Sequence, residues 1–129
     1  MVLYDAHSIR SRIPRLFNGE LPQFNIGTNS GRSCDAALTQ AVEAICDRTG
    51  LSWVTDGRFK GGWTTRHYGQ PEQGVHAIQM ELACRGYMDD PDAPPTPETW
   101  PAPYRPEQAA PLRAVLRDVL QACLIFAES

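Results

Sequence analysis

The C-terminal segment carries the pattern that most restricts how this chain can fold. Its apolar residues recur at spacings of three and four and form one unbroken stripe, made of Leu112, Val115, Leu116, Val119, Leu120, Cys123 and Leu124. This spacing predicts an amphipathic helix, with Pro111 tolerated in its first turn. It is the most clearly predicted element of the chain.

Upstream of this helix, predicted strands alternate with one further helix. Residues 2–7, 51–55 and 76–83 predict strands. Between the first two, Ser33 or Asp35 can cap a helix with an apolar face, and Gly50 is its stop signal. The alternation predicts a single α/β domain over residues 1–129, in which helices flank a layered sheet that is mixed or parallel.

The connections between these elements are long. Residues 9–32 show no sustained periodicity, which is unusual in a compact domain unless the segment is a functional loop. Residues 57–69 predict a second loop, made flexible by glycine. Residues 91–106 hold seven of the eleven prolines, which excludes a regular helix or a central strand and predicts an extended surface segment.

Bulk properties exclude several classes of protein. The net charge of −3 and the absence of a basic run argue against nucleic-acid and membrane-surface binding. No apolar stretch approaches the length of about 20 residues that crosses a bilayer, and no secretory signal begins the chain. The four cysteines lack Cys-x-x-Cys spacing, so we expect reduced packing residues. A cytoplasmic protein that binds a small molecule is expected.

The strand over residues 76–83 places a carboxylate in an apolar segment. Alternation puts Glu81 on one face with Ala77 and Gln79, whereas His76 lies on the other, apolar face and is interpreted as a hydrogen-bonded core residue. A carboxylate in such a strand is costly to bury without a partner or a function. Two interpretations stay open for Glu81, a chemical role beside water or substrate and an ion pair with an arginine.

The first strand carries a second polar group. Asp5 and His7 share one face, and His7 lies near the strand's C-terminal end, where open α/β sheets usually place ligand sites. Asp5 could orient a neighbouring ligand. A hydrogen-bonded structural histidine is the plainer alternative, because this motif is weak by itself.

Two arginines are candidate anion binders. Arg66 follows Gly61 and Gly62, which allow close backbone approach to a ligand, and it can hold a carboxylate with two parallel hydrogen bonds. Arg32 lies beside a predicted helix N-terminus, which also favours negative charge. The alternatives are a surface arginine on a mobile loop and simple solvation of the helix start. The familiar zinc-protease, nucleophile-elbow, P-loop and dinucleotide motifs are absent.

Several short blocks of sequence are informative when they are taken together, in their order along the chain. They are residues 5–9, residues 25–28 with 31–34, residues 60–69, and residues 79–82 with 87–89. Taken together, these blocks resemble the C-terminal half of the N-formylglutamate amidohydrolase (deformylase) family. The family's fold is similar to that of the zinc carboxypeptidases, a phosphorylase/hydrolase-like fold.

The resemblance implies a function and roles for these residues. Members use a divalent metal, usually zinc, to hydrolyse N-formyl-L-glutamate to formate and L-glutamate, in one route of histidine degradation. It implies that His7 is a metal ligand and that Glu81 is the general base. Arg66 would contact a substrate carboxylate, with His67 as a nearby polar contact and Arg32 as a second anion binder.

The resemblance also implies that part of the site is missing. A catalytic zinc normally needs three protein ligands, and this sequence offers one, because the family's other ligands lie in an N-terminal half. The chain is therefore expected to be a hydrolase of N-formylglutamate or another N-acyl amino acid, or else a truncated, non-catalytic remnant or subunit that needs a partner chain. A small α/β binding domain with only ancestral resemblance is the third alternative. An unpaired strand edge predicts low stability or self-association.

Overall fold

The computed structural model describes every residue from Met1 to Ser129. Strands and helices alternate along the chain in the order β1 (Val2–Ile9), β2 (Phe24–Gly27), α1 (Ala36–Asp47), β3 (Trp53–Thr55), α2 (Trp63–Tyr68), β4 (His76–Ala83) and α3 (Pro106–Glu128). Single turns of 3-10 helix precede and follow β4, at Pro71–Gln73 and Cys84–Gly86. The predicted α/β class is confirmed.

The four strands form one mixed sheet in the order β1-β4-β2-β3. β1 runs parallel to β4, β4 runs antiparallel to β2, and β2 runs parallel to β3. The two longest strands therefore lie side by side, with β1 at one edge of the sheet. The register pairs His7 with Glu81 and Asp5 with Gln79, which brings the polar groups of two distant segments together.

The hydrophobic core lies on the face of the sheet opposite to Asp5, His7, Gln79 and Glu81. Phe24 and Ile26 of β2 and Ile78 and Met80 of β4 are buried against α1 and α3. α1 begins as predicted, because Asp35 caps it by accepting a 2.7 Å hydrogen bond from the Ala37 N–H. His76 has the predicted hydrogen bond, accepting through Nδ1 from the Asp35 N–H at 3.0 Å. The four cysteines are free and buried, as expected.

Two elements were not predicted from the sequence. β2 lies inside residues 9–32, which showed no periodicity, because a strand of four residues is too short to display an alternation. Residues Trp63–Tyr68 form α2 inside the predicted loop; this helix has a single buried residue, Thr65, and thus no apolar stripe. β1 also continues to Ile9, two residues beyond its predicted end.

The C-terminal helix is present but begins earlier than predicted. α3 starts at Pro106, so Pro111 lies inside the helix instead of in its first turn. Its apolar stripe is only partly covered: Leu112, Val119 and Cys123 are buried, whereas Leu120 and Leu124 are exposed. None of the helices is long and apolar enough to cross a membrane. The proline-rich segment before α3 runs over the surface, as predicted.

Candidate active site

The candidate site lies on the polar face of the sheet, where β1 and β4 run side by side. Asp5 and His7 of β1 and Gln79 and Glu81 of β4 occupy paired positions in a parallel register. Side chains two residues apart point to the same side of a strand, so all four project away from the core. The sheet thus assembles one polar cluster from residues more than 70 positions apart.

Glu81 is the chemically unusual member of this cluster. The residue is only 6% exposed, yet its carboxylate takes part in no hydrogen bond or ion pair within the chain. Burial raises the pKa of Glu81, the nearby His7 opposes this shift, and Asp5 adds to it. The ion pair with an arginine, one of the two interpretations of the sequence, is absent.

His7 and Asp5 form a pair on the edge strand. The imidazole Nε2 lies 3.0 Å from Asp5 Oδ1, and the His7 side chain is 49% exposed. Its Nδ1 has no hydrogen-bond partner within the chain. A carboxylate that fixes an imidazole through one nitrogen and leaves the other available is the usual arrangement behind a metal-binding histidine.

Residues 57–62, the glycine loop that precedes α2, close one side of the site. A Cβ on Gly27 of β2 would lie 2.4 Å from the Gly61 nitrogen, so glycine there lets the loop approach the sheet backbone. Gly61 itself has φ +99°, a conformation that favours glycine. The Gly62 N–H then donates a 2.8 Å hydrogen bond to Gln79 Oε1. These contacts fix the loop over the polar face.

The loop and α2 bring positive charge to the cleft. Arg58, Lys60 and Arg66 line a cavity of about 560 Å³ together with Gly61 and Gly62, the ring of Phe59, and the polar side chains of His7, Gln79 and Glu81. None of the three cations forms an ion pair in the chain. Arg58 Nε donates to the Leu16 carbonyl at 2.7 Å and Arg66 Nη1 to the Gly61 carbonyl at 3.0 Å. The cleft therefore suits an anionic ligand.

The structure brings only some of the candidate residues together. His7, Glu81 and Arg66 line the cleft, although Arg66 lies on α2 and not in a loop. His67 stacks on Trp63 with ring centroids 4.2 Å apart and does not line the cavity. Arg32 donates to the Asn29 carbonyl at 3.2 Å and also lies outside the lining.

Sequence reasoning missed three polar or charged lining residues and the ring of Phe59. Gln79 shares a strand face with Glu81, and this two-residue spacing was a usable signal. Arg58 and Lys60 had no such signal, because their position depends on how the glycine loop folds back over β2. Their place in the cleft is a product of tertiary structure.

The donor groups fit one metal ligand but not a full set. His7, oriented by Asp5, has the environment of a ligating histidine. No group of three or more histidine, cysteine, aspartate or glutamate side chains lies close enough to hold a metal ion. A three-ligand site, which catalytic zinc usually requires, cannot be built from this chain alone.

Comparison with known proteins connects this geometry to one family. A family model for N-formylglutamate amidohydrolase matches residues 1–88, which include β1, β4 and the glycine loop. The chain belongs to the N-formylglutamate amidohydrolase family. It is 54% identical over 126 residues to a protein of Pseudomonas aeruginosa named N-formylglutamate deformylase, and 50% identical over 126 residues to one of Pseudomonas putida with the same name.

These matches cover nearly all of this chain but under half of each relative. The two relatives are matched over 97% of this chain and 44% of their own length. The crystal structure of N-formylglutamate amidohydrolase from Ralstonia eutropha JMP134 matches with a TM-score of 0.68 at 20% identity, over 97% of this chain and 41% of that one. The structural match supports the fold, and the shares agree with the expected half-length correspondence.

Proposed function

We propose that this chain supplies part of the active site of an enzyme that hydrolyses N-formyl-L-glutamate to formate and L-glutamate. The observation that carries the proposal is Glu81, a buried carboxylate without a hydrogen-bond partner that faces a cleft rimmed by cations. Both curated relatives are named N-formylglutamate deformylase, which supports the choice of substrate. Perturbed titratable groups in clefts are typical of acid–base sites.

In this proposal Glu81 is the general base. Its carboxylate takes a proton from the water that attacks the formyl carbon and later delivers a proton to the departing amine. Burial favours the protonated form of Glu81, so the residue is well suited to hold a proton between the two steps. The neighbouring Gln79 side chain accepts a hydrogen bond from the Gly62 N–H, which attaches the glycine loop to the sheet beside Glu81.

His7 is proposed as one ligand of a divalent metal, with zinc the expected ion. Asp5 would hold the imidazole in position through Nε2. When bound, the metal would polarise the formyl carbonyl and make a water more acidic. The residues of this chain form no group of three or more potential ligands that could complete the site.

The cations account for recognition of the substrate. N-formyl-L-glutamate carries two carboxylates, and Arg58, Lys60 and Arg66 provide positive charges in the cleft, none of which forms an ion pair within the chain. Arg66 is the predicted contact to one carboxylate. The roles of His67 and Arg32 in substrate binding stay predictions. Neither side chain lines the cleft, so each would have to reorient to contact the substrate.

The second candidate function is a non-catalytic remnant or subunit that depends on a partner chain. The absence of a three-ligand cluster favours it. Action on a different N-acyl amino acid is a variant of the first proposal. The place in histidine degradation, the cytoplasmic location and the likeness to zinc carboxypeptidases all stay predictions.

The test is formate release from N-formyl-L-glutamate by the purified chain with added zinc. Glu81→Gln should lower the rate by about 10²-fold or more, since it removes the proton acceptor. Glu98→Gln, a matched change on the exposed surface segment, should leave it unchanged. Activity that survives Glu81→Gln would contradict the assigned base, and no formate from the native chain would favour the subunit interpretation.

A further inference from the structure

The loop between β1 and β2 contacts the cleft through one short turn, residues 13–17. The N–H groups of its last two residues, Leu16 and Phe17, both donate to the carbonyl of its first residue, at 2.8 and 3.1 Å. The base of the loop is closed as well, because the Leu21 N–H donates to the Ser11 carbonyl at 2.8 Å. The turn therefore has a defined shape and can hold a neighbouring side chain in place.

The side chain that this turn holds is Arg58. Its Nε donates to the Leu16 carbonyl at 2.7 Å, and its guanidinium carbon lies 5.4 Å from the centroid of the Phe59 ring, a cation–π contact. The Phe59 ring in turn meets the Phe17 ring edge-on, with centroids 6.2 Å apart. Both Nη groups of Arg58 have no hydrogen-bond partner within the chain. The turn thus fixes this guanidinium and leaves its fork free to bind a carboxylate with two parallel hydrogen bonds.

The other two cations of the cleft are held differently. Arg66 Nη1 donates to the Gly61 carbonyl at 3.0 Å, and α2, which carries Arg66, packs on β4 and β1. The Lys60 ammonium lines the cleft as a point charge on a flexible stem, without the planar fork of an arginine. Arg66 is therefore attached to the strands that carry Glu81 and His7, whereas the other guanidinium is held by the loop that follows β1.

The cleft also holds one apolar group between these charges. Phe59 is the single hydrophobic residue among those that line the cavity, and Arg58 lies over its ring. In N-formyl-L-glutamate a short run of methylene groups joins the α-carbon to the side-chain carboxylate. The Phe59 ring offers apolar surface to such methylene groups, and the guanidinium beside it offers a partner to the carboxylate at their end. A neutral amide in place of that carboxylate would leave the guanidinium without an anionic partner.

We propose that Arg58 is the specificity-determining residue that binds the side-chain carboxylate of the substrate, and that Phe17 and the Leu16 carbonyl position it. The α-carboxylate and the formamide nitrogen share one carbon atom, so the α-carboxylate falls to Arg66, whose helix packs on the strands of the reacting end. The site therefore selects N-formyl amino acids with an acidic side chain. This inference rests on the proposed function for the ligand and not for its hydrolysis.

The experiment titrates the purified chain with N-formyl-L-glutamate and with N-formyl-L-glutamine by NMR, with a chelator present so that neither ligand is hydrolysed. The native chain should bind the glutamate compound about tenfold more tightly or better, because only this ligand gives Arg58 a charged partner. Arg58→Gln should remove this ratio by weakening the glutamate compound alone. Arg66→Gln should weaken both ligands by similar factors, and Arg113→Gln, at an exposed arginine of α3, should change neither.

Phe17 is tested as a positioning residue through the same ratio of affinities. Phe17→Ala removes the edge-on contact to Phe59 and should lower the ratio about threefold or more. In the Arg58→Gln background it should have no further effect on the ratio, because the two residues then act through one contact. Phe17→Tyr keeps the ring and should keep the ratio. A purely structural role would lower the melting temperature of Phe17→Ala and leave the ratio unchanged, which would overturn the positioning role.

The outcome for Arg58 is separable from that of the proposed function. Selective binding that depends on Arg58, in a chain that releases no formate with added zinc, would support the assignment and refute the activity of the chain. Formate release from both ligands at similar rates, unchanged by Arg58→Gln, would support the activity and overturn the assignment. A native chain that binds both ligands equally, or binds neither, would overturn the assignment as well.

Discussion

The two faces of the central strand β4 show opposite solutions to burial. On one face Ile78 and Met80 are buried among the apolar side chains of α1 and α3. On the other face Gln79 is tied to the glycine loop, and Glu81 is buried although its carboxylate makes no hydrogen bond within the chain. The first face stabilises the fold. The second face carries a costly carboxylate at the cleft, and the first must offset that cost.

The two faces also differ in what closes them. The apolar face is covered by α1 and α3, two long amphipathic helices. The polar face is covered by a glycine loop and a helix of six residues, and its β1 side is open. Substitutions on the apolar face should therefore change stability, whereas those on the polar face should change the cleft.

The largest effect is expected from Met80→Ala on the apolar face. Removing this fully buried side chain leaves a cavity between the sheet and the helices, and should lower the free energy of unfolding by about 2–5 kcal/mol. Urea unfolding followed by circular dichroism measures it. Leu51→Ala, a change at an exposed leucine, should stay within about 0.5 kcal/mol of wild type. If both variants lowered the free energy of unfolding equally, the contrast between the covered and the open surface would be wrong.

An intermediate effect is expected from Gly27→Ala on the polar face. The new Cβ would lie 2.4 Å from the Gly61 nitrogen, so either the loop or β2 must move, at a cost of about 1–3 kcal/mol. The same shift would displace Lys60 and weaken anion binding, which titration with N-formyl-L-glutamate by NMR measures.

Gly62→Ala is the matched control for this loop. Its Cβ would lie 3.5 Å from Gln79 Oε1, an ordinary contact, so the free energy of unfolding should stay near wild type. If Gly27→Ala were as stable as this control, the loop would not depend on close approach to β2.

The smallest effect is expected from Glu81→Gln on stability. Because burial raises the pKa of Glu81 in the folded chain, folding is favoured where the carboxyl group is protonated, and this contribution is lost as the pH rises through the raised pKa. Glu81→Gln should therefore be more stable than wild type at pH 7 in the presence of a chelator, and should lose less stability between pH 4.5 and pH 7. Urea titrations at both pH values measure this, with Glu98→Gln as the control. A variant less stable than wild type at pH 7 would show that the carboxylate has a favourable partner.

The sequence predicted the elements that have their own periodicity. The stripe of α3 and the alternation of β4 were sufficient, because a helix or strand of that length repeats its pattern several times. β2 and α2 were not predictable in this way, since four and six residues hold at most one or two repeats. Their formation depends on the neighbouring β4 and on the glycine loop, which are non-local in the chain.

The features of the candidate site divide in the same way, into those that follow from local sequence and those that depend on tertiary contacts. The sequence by itself determined that Glu81 leaves the apolar face, that Asp5 and His7 share a side, and that the chain resembles one family, since alternation and motif are local properties. Only the tertiary structure decided that His7 lies beside Glu81, that Arg58 and Lys60 enter the cleft while His67 and Arg32 do not, and that β1 is left as a free edge. These are facts of strand order and loop closure, and both depend on contacts between residues that are far apart in the chain.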